Sequence, residues 1–257
     1  MEFKVGDYVT RISYQNDTVF KIIEIKDDIA ILKGVDIRLF ADSSISDLVK
    51  CEYENRDDDL RRSIIVRDNM DRGEYFYLPA KILHIDADKD YLKRCLDFYK
   101  EANLFAIGKN INEKDVSKVI LKLLNQYKPD ILIITGHDSI NKNKDLNNIN
   151  NYKSSKNFVD AVFEARKFEK SHEKLVIIAG ACQSDYEALI KAGANFASSP
   201  KRINIHALDP AIIAINLALT EKDEDIDLIN LLDKTKYGKD GIGGLKSKGM
   251  MYVGYPR

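Results

Sequence analysis

The stretch DILIITGHD, residues 130–138, decides the fold of this chain. Its four consecutive apolar residues leave no polar face, and Gly136 and His137 follow almost at once. The stretch KLVIIAGACQ, residues 174–183, repeats this arrangement and carries Cys182 after its own apolar run. Strands that are apolar on both faces are typical of a parallel sheet covered by helices on each side. The sequence therefore predicts an α/β fold with a mostly parallel sheet.

Strands and helices alternate outward from these two stretches, over residues 79–257, which we interpret as one α/β domain. The helices are indicated by apolar residues at helical spacing, for example Leu92, Cys95, Leu96 and Tyr99. The predicted elements are strand 81–86, a helix from Asp90, strand 104–108, a helix from Asn112, strand 130–136, helix 156–168, strand 174–180, a helix from Ser184, strand 203–208, a helix from Asp209, helix 228–234 and a terminal strand in MMYVGY.

Residues 1–50 have a different pattern, in which short β-branched and aromatic runs alternate with polar residues. This pattern predicts a small β-barrel of the SH3-like kind. Its nine acidic and seven basic residues argue against nucleic-acid binding and favour contact with protein or a structural role. Residues 51–78 contain many acidic and basic residues close together in sequence. This composition indicates a linker between the barrel and the α/β domain.

The overall composition excludes several classes of function. The chain has 40 Lys and Arg residues and 41 Asp and Glu residues, so it lacks the basic excess that neutralises nucleic-acid phosphates. Three scattered cysteines give no metal-ligand spacing, and we predict neither a metal nor a cofactor. Such sparse cysteines are typical of a reducing compartment. With no signal peptide and no apolar run of the roughly 20 residues that span a bilayer, we expect a cytoplasmic protein without membrane insertion.

Two reactive side chains follow consecutive strands of the predicted sheet. His137 comes just after one strand, and Cys182, 45 residues later, comes just after the next. A single right-handed crossover makes these strands neighbours, so their carboxyl ends bring the two side chains together. We therefore predict Cys182 as a nucleophile and His137 as its general base.

Features around Cys182 fit this chemistry. Ser184 or Asp185 is a good N-cap for the next helix, whose positive end would favour the thiolate. Gly180 and Ala181 are small, which lets a substrate carbonyl approach backbone N–H groups, and the amide of Cys182 could form an oxyanion hole.

Other interpretations of these residues remain open. A cysteine after a strand is commonly a small core residue, and a histidine at a strand end is commonly a satisfied surface group. His206 is a second candidate base, or a residue that orients substrate or merely packs. Cys95 lies on the apolar face of its helix, and we predict that it belongs to the core.

Several segments resemble the YabG family of sporulation-specific proteases. The resemblance covers nearly the whole chain and is carried by FKVGDYVTR, AILKGVDIRLFADS, TGHD, YKSSKNFVDAVFEAR, IIAGACQS, GANFASSPKRINIHALDP and GIGG. It implies a cysteine peptidase that trims coat and other spore proteins, with relatives among caspase and clostripain-like peptidases. It implies Cys182 as nucleophile, His137 as base, and cleavage after basic residues, notably Arg. The expected partners are thus spore coat and spore assembly proteins.

The chain departs from the caspase-like pattern beside the histidine. That pattern usually has a glycine directly after the histidine as an oxyanion donor, whereas here Gly136 precedes His137 and Asp138 follows it. The second donor is therefore open. Asp138 either orients His137 or caps the turn that follows.

Cleavage after Arg requires an acidic group for the guanidinium. Asp185 and Asp209 lie in segments that begin at strand ends and are candidates, although a helix N-cap is the stronger interpretation for each. The predicted linker contains five arginines where self-cleavage could occur, which are Arg56, Arg61, Arg62, Arg67 and Arg72.

Two other functions remain alternatives. One is a non-catalytic protein-binding module in spore assembly, and the other is a Cys-dependent amidase.

Overall fold

The structure is a computed structural model that describes residues 2–54, 75–141 and 144–255. The chain divides into two compact units, residues 1–58 and 59–257. None of the helices in these described ranges is both long and apolar enough to cross a membrane.

The first unit contains an antiparallel five-stranded sheet in the order β4-β3-β2-β1-β5. Asp27 has a positive φ of 52° in the turn between β2 and β3, a backbone conformation that tight hairpin turns use. A small core forms around Val9, Phe20 and Leu32. The strands are β1 (Tyr8–Arg11), β2 (Phe20–Lys26), β3 (Ile29–Gly34), β4 (Phe40–Ser44) and β5 (Leu48–Lys50), with 3₁₀ turns at Ile12–Tyr14 and Ile45–Asp47.

The second unit combines helices with two sheets. Its strands are β6 (Phe76–Leu78), β7 (Ile82–Asp86), β8 (Ala106–Asn110), β9 (Ile131–Thr135), β10 (Val176–Ala179), β11 (Phe196–Ser198), β12 (Ile242–Gly244) and β13 (Tyr252–Gly254). Its helices are α1 (Lys89–Glu101), α2 (Glu113–Tyr127), α3 (Ser155–Phe168), α4 (Tyr186–Ala192), α5 (Asp209–Leu219), α6 (Leu228–Asp233) and α7 (Gly238–Gly241), with a 3₁₀ turn at Ile149–Asn151.

The larger sheet has six strands in the order β12-β11-β10-β9-β7-β8. The neighbours from β11 to β8 pair in parallel, and only β12 at the edge is antiparallel to its neighbour. Strands β9 and β10 lie side by side, with Ile133 opposite Ile178. The predicted α/β fold class and the predicted pairing of these two strands are therefore confirmed.

Alternate residues of the strands face two separate cores, as a doubly covered sheet requires. On β9, Ile131 and Ile133 belong to the core that includes Cys95 and helix α5. Leu132 and Ile134 belong to the opposite core, together with residues of α2 and α3. The prediction that Cys95 is a core residue is confirmed, because it is fully buried.

Two predicted segments have a different structure from the one expected. The predicted strand 203–208 is wrong, because the sheet position beside β10 is taken by Phe196–Ser198, whose three side chains are all buried. Residues 203–208 instead belong to the loop that leads into α5. Most of the predicted linker 51–78 lies outside the described residues, and its last three residues, Phe76–Leu78, form a two-stranded sheet with β13.

Candidate active site

The candidate nucleophile and base occupy the carboxyl ends of neighbouring strands. His137 is the second residue after β9, and Cys182 is the third residue after β10. Gly180 has a positive φ of 105°, a conformation that side chains rarely adopt. A Cβ at this position would lie 2.8 Å from Leu189 Cδ1. Glycine therefore lets the chain turn away from the sheet just before Cys182.

Cys182 is fully buried in this structure. Its sulfur accepts a hydrogen bond from the main-chain N–H of Ile205 at 3.2 Å, and the thiol faces the carbonyl of the same residue at 3.7 Å. Ile205 belongs to the loop between β11 and α5, residues 199–208, which we call the covering loop. The covering loop thus both hides the thiol and binds it.

The base of the covering loop is fixed by Asp209, which is completely buried at the start of α5. One carboxylate oxygen accepts the N–H of His206 at 3.0 Å, and the other accepts the N–H of Lys236 at 2.9 Å. His206 is nearly buried, and its Nδ1 accepts the N–H of Leu208 at 3.2 Å. Both carboxylate oxygens of Asp209 are thus engaged with main-chain donors.

Arg202 anchors the middle of the covering loop. Its Nε donates to the hydroxyl of Tyr152 at 2.6 Å, and its Nη2 lies 3.4 Å from Oδ1 of Asp185 and also pairs with Glu187. Burial by itself lowers the pKa of Arg202, but the hydrogen bonds to Glu187 and Tyr152 outweigh this and raise it above its ordinary value. Asp185 is also the N-cap of α4, where it accepts the N–H of Ala188 at 3.2 Å.

His137 lies between two carboxylates that the sequence analysis did not identify. Its Nε2 is 3.5 Å from Oδ2 of Asp88, and its Nδ1 is 3.7 Å from Oε1 of Glu113. The same Glu113 oxygen accepts the main-chain N–H of His137 at 2.8 Å. The ring of Tyr91 lies 5.9 Å from the imidazole, centroid to centroid. The imidazole is thus surrounded on three sides by α1, α2 and the loop before α1.

The absence of a side chain at Gly136 lets Glu113 lie close to His137. A Cβ at position 136 would lie only 2.5 Å from the carboxylate oxygen Oε1 of Glu113. Burial of Glu113 by itself raises its pKa, but hydrogen bonding to His137 outweighs this and leaves the pKa below its ordinary value. Glu113 is therefore held as a carboxylate beside the imidazole.

Asp138 is hydrogen-bonded to serines of the adjoining turns. Burial raises its pKa, even though its carboxylate accepts four hydrogen bonds. Of the two predicted roles, the contacts match that of a capping group. The four donors are the N–H groups of Ser139 (2.9 Å) and Ser154 (2.7 Å) and the hydroxyls of Ser155 (2.5 Å) and Ser184 (2.9 Å).

The hydrogen bonds of Asp138 extend to the residue before the nucleophile. The hydroxyl of Ser184, which donates to Asp138, accepts the main-chain N–H of Ala181 at 2.9 Å. Ala181 is fully buried. This residue therefore helps to shape the turn before Cys182 while its own amide is engaged with Ser184.

A buried polar network supports the loop that carries Asp88. His84 is fully buried, with Nδ1 hydrogen-bonded to the hydroxyl of Tyr99 and Nε2 to that of Thr135, each at 2.9 Å. Thr135 donates to Oδ2 of Asp86 at 2.8 Å, and Oδ1 of Asp86 accepts the N–H of Asp88 at 2.8 Å. This network fixes the end of β7 beside His137.

Asp88 and Glu113 could have been found from the sequence. Both follow predicted strands, in ILHIDAD and GKNINE, and so lie at the same edge of the sheet as His137. Their positions at the starts of predicted helices did not indicate a catalytic role, because acidic residues are common there.

One groove of the second unit is lined by none of the candidate site residues. It has a volume of about 760 Å³ and is lined by residues at the amino end of β10, by the chain around α6 and by residues 246–250. Within residues 2–54, 75–141 and 144–255, no group of three or more His, Cys, Asp or Glu side chains is arranged to hold a metal ion.

Comparison with known proteins places the chain in a family. The family model described as YabG peptidase U57 matches residues 4–64 and 55–256. The chain belongs to the YabG peptidase family. It is 42% identical over 289 aligned residues to the sporulation-specific protease YabG of Bacillus subtilis (strain 168), covering 100% of this chain and 99% of that protein. The resemblance predicted from the sequence motifs is therefore confirmed, and this YabG-family chain is a peptidase.

A solved structure overlaps part of the fold. A cobalamin-binding protein of Desulfitobacterium hafniense DCB-2 is 19% identical, with a TM-score of 0.33, over 53% of this chain and 58% of that one. This likeness carries no argument about the function of the YabG-family chain.

Proposed function

We propose that the chain is a cysteine endopeptidase in which Cys182 is the nucleophile and His137 the general base. The observation that carries this proposal is the parallel pairing of β9 and β10, which puts both residues at one edge of the sheet. Membership of a peptidase family favours this chemistry over the non-catalytic binding module.

The reaction follows from these two groups. His137 takes the proton of the thiol, and the thiolate of Cys182 attacks the carbonyl carbon of the scissile peptide bond. The tetrahedral oxyanion collapses to a thioester as His137 protonates the leaving amine. Water, deprotonated by His137, then attacks the thioester and releases the new carboxyl terminus and the thiolate of Cys182. His137 returns its proton to that thiolate.

The main-chain N–H of Cys182 is the proposed oxyanion donor. Gly136 and Ala181 support the site indirectly in this proposal. Gly136 leaves room for Glu113, and the bond from Ala181 to Ser184 shapes the turn on which Cys182 lies. Asp138 holds that turn through Ser184.

Access to the thiol requires the covering loop to move, because Cys182 is fully buried and bound to Ile205. We propose that substrate binding displaces this loop. Asp209 and His206 then contribute to substrate binding by controlling the base of the loop, since their observed contacts run to its main chain.

Cleavage after Arg or Lys is the proposed specificity, with Asp185 as the acidic partner of the substrate side chain. Its support is that Asp185 already lies 3.4 Å from a guanidinium nitrogen, that of Arg202. A substrate arginine would replace Arg202 when the covering loop moves.

The order and direction of the six strands support a caspase-like arrangement of the α/β domain, because a parallel sheet with one antiparallel edge strand carries both residues at adjacent strand ends. The five antiparallel strands of the first unit support an SH3-like barrel in residues 1–50. The division into barrel, linker and peptidase domain is part of the same proposal.

The proposed substrates are spore coat and other sporulation proteins, which the enzyme would meet in the cytoplasm of the sporulating cell at the forming coat. The name of the Bacillus subtilis relative, a sporulation-specific protease, supports this setting. We propose that the chain is also its own substrate in the predicted linker, at five arginines that lie outside the described residues: Arg56, Arg61, Arg62, Arg67 and Arg72.

The test is cleavage of an arginine-containing fluorogenic peptide and of a solubilised spore coat extract. Cys182→Ala should abolish both activities. Cys95→Ala is the matched control, because Cys95 is equally buried and also faces a carbonyl, that of Ala207 at 3.5 Å. Mass spectrometry of the purified wild type should find new termini after the linker arginines. Undiminished cleavage by Cys182→Ala would overturn the proposal.

A further inference from the structure

We propose that Glu113 is a positioning residue for His137, and that its charge, as well as its hydrogen bond, orients the imidazole for proton transfer. This inference rests on the proposed function, because it assigns the group that orients the general base. It replaces the sequence-based candidate Asp138, whose carboxylate is bound to four serine groups.

The geometry gives Glu113 two contacts with the same residue. Oε1 accepts the main-chain N–H of His137 at 2.8 Å, which fixes the backbone, and it lies 3.7 Å from Nδ1, which faces it. A carboxylate beside a ring nitrogen favours the tautomer that carries its proton there. Glu113 therefore favours a proton on Nδ1, and Asp88, 3.5 Å from Nε2, favours the opposite tautomer. In this proposal Glu113 prevails, because its bond to the His137 main chain holds it beside Nδ1. Nε2 then has the lone pair that accepts the proton of the thiol.

The carboxylate is available for this role because it is charged and partly shielded from water. Its side chain is 12% exposed, so its interaction with the ring is screened less than that of a surface charge. Glu113 begins α2, directly after its N-cap Asn112, so the helix fixes its position. Gly136 removes the Cβ that would otherwise push the carboxylate away.

Asp88 completes the charge environment on the other side of the ring. Its Oδ1 caps α1 through the N–H groups of Asp90 and Tyr91, and its Oδ2 lies 3.5 Å from Nε2 of His137. Asp88 thereby stabilises the positive charge that the imidazole acquires when it holds the thiol proton. Among the residues that the structure describes, Asp88, Tyr91 on α1 and Glu113 on α2 are titratable groups that face the ring.

The test separates charge from hydrogen bonding. Glu113→Gln keeps an oxygen that can accept the His137 N–H but loses the charge, whereas Glu113→Ala loses both. Asp115→Asn is the matched control, because Asp115 also lies in the first turn of α2 but is 55% exposed and paired with Lys118. Peptide hydrolysis is measured for each full-length protein as kcat and KM across pH, beside Cys182→Ala.

For Glu113→Gln we expect kcat to fall by about tenfold or more, with little change in KM. This loss is a part of the roughly 10²–10⁴-fold that general acid–base catalysis contributes as a whole. The acidic limb of the kcat/KM profile should move to lower pH, because loss of a nearby negative charge favours the neutral imidazole. Glu113→Ala should be less active still, and Asp115→Asn should match the wild type.

A second readout needs no turnover. In protein labelled with ¹⁵N-histidine, the ring signals of His137, assigned by their loss in His137→Ala, should report a proton on Nδ1 in the wild type and more of the other tautomer in Glu113→Gln. Wild-type kinetics and an unchanged tautomer in Glu113→Gln would overturn the role of Glu113. Full activity of Cys182→Ala would instead overturn the proposed function.

Discussion

The main-chain N–H of Ile205 donates a 3.2 Å hydrogen bond to the sulfur of Cys182, and the fully buried thiol faces the carbonyl of the same residue. One loop residue therefore binds the proposed nucleophile with both of its main-chain polar groups. The described state is closed, and the stability of the covering loop should determine how often the thiol becomes reactive.

Arg202→Gln should loosen the covering loop and make Cys182 more reactive. The substitution removes the ion pairs with Asp185 and Glu187 and most of the hydrogen bonds that the guanidinium makes. We expect a loss of about 1–3 kcal/mol in the free energy of unfolding and faster iodoacetamide labelling of Cys182. Lys201→Gln, next to it on an exposed side chain, is the control. Equal labelling rates in both variants would refute this role of Arg202.

Gly136→Ala should reduce activity with little effect on stability. The new Cβ would lie 2.5 Å from Oε1 of Glu113, the end of a flexible side chain that can move away at small cost. The carboxylate then no longer faces His137, so kcat should fall by about tenfold or more. Thermal unfolding should change by no more than a few degrees.

The double variant Gly136→Ala/Glu113→Ala provides the control for this prediction. If alanine at position 136 acts only by displacing Glu113, the double variant should be no less active than Glu113→Ala alone, because the two changes remove the same contact. Additive losses would show that position 136 acts by another route.

Asp138→Asn should destabilise the fold and change its pH dependence. The carboxylate accepts four hydrogen bonds, and an amide oxygen cannot replace all of them, so we expect a loss of about 2–4 kcal/mol at neutral pH. Because burial raises the pKa of Asp138, the folded chain binds a proton more tightly than the unfolded chain. The contribution of this ionisation to stability therefore falls as the pH rises above the ordinary value of 3.8.

Urea unfolding of wild type and Asp138→Asn at a series of pH values measures this effect. The stability difference between the two proteins should shrink as the pH rises from 3.8 through the raised pKa of Asp138. A difference that grows over this range would mean that the hydrogen bonds from the serines dominate and that the pKa is lowered instead.

The sequence predicted the parts of the fold that rest on local pattern. The apolar runs of β9 and β10 identified a doubly covered sheet, and one crossover between them was enough to make them neighbours. The strand predicted at 203–208 was wrong because INIHAL has the alternation of a strand, whereas the short buried run Phe196–Ser198 takes the sheet position. Local pattern does not decide between two apolar segments that compete for one neighbour.

The site was predicted less completely than the fold. Cys182 and His137 could be selected because each follows an apolar strand directly. The carboxylates around His137 could not be ranked, because Asp88, Glu113 and Asp138 all lie near the carboxyl ends of strands. Only the structure distinguishes Asp138, which is bound to serines, from Glu113, which contacts the imidazole.

Covalent trapping of the nucleophile tests the central claim most directly. Wild-type protein is incubated with a peptidyl-arginine acyloxymethyl ketone, which alkylates a catalytic thiolate, and the modified residue is mapped by mass spectrometry. The account predicts one adduct, on Cys182, with loss of peptidase activity in proportion to labelling, and no adduct in the His137→Ala protein. Complete loss of activity with Cys182 unmodified, or full activity with Cys182 fully modified, would contradict it.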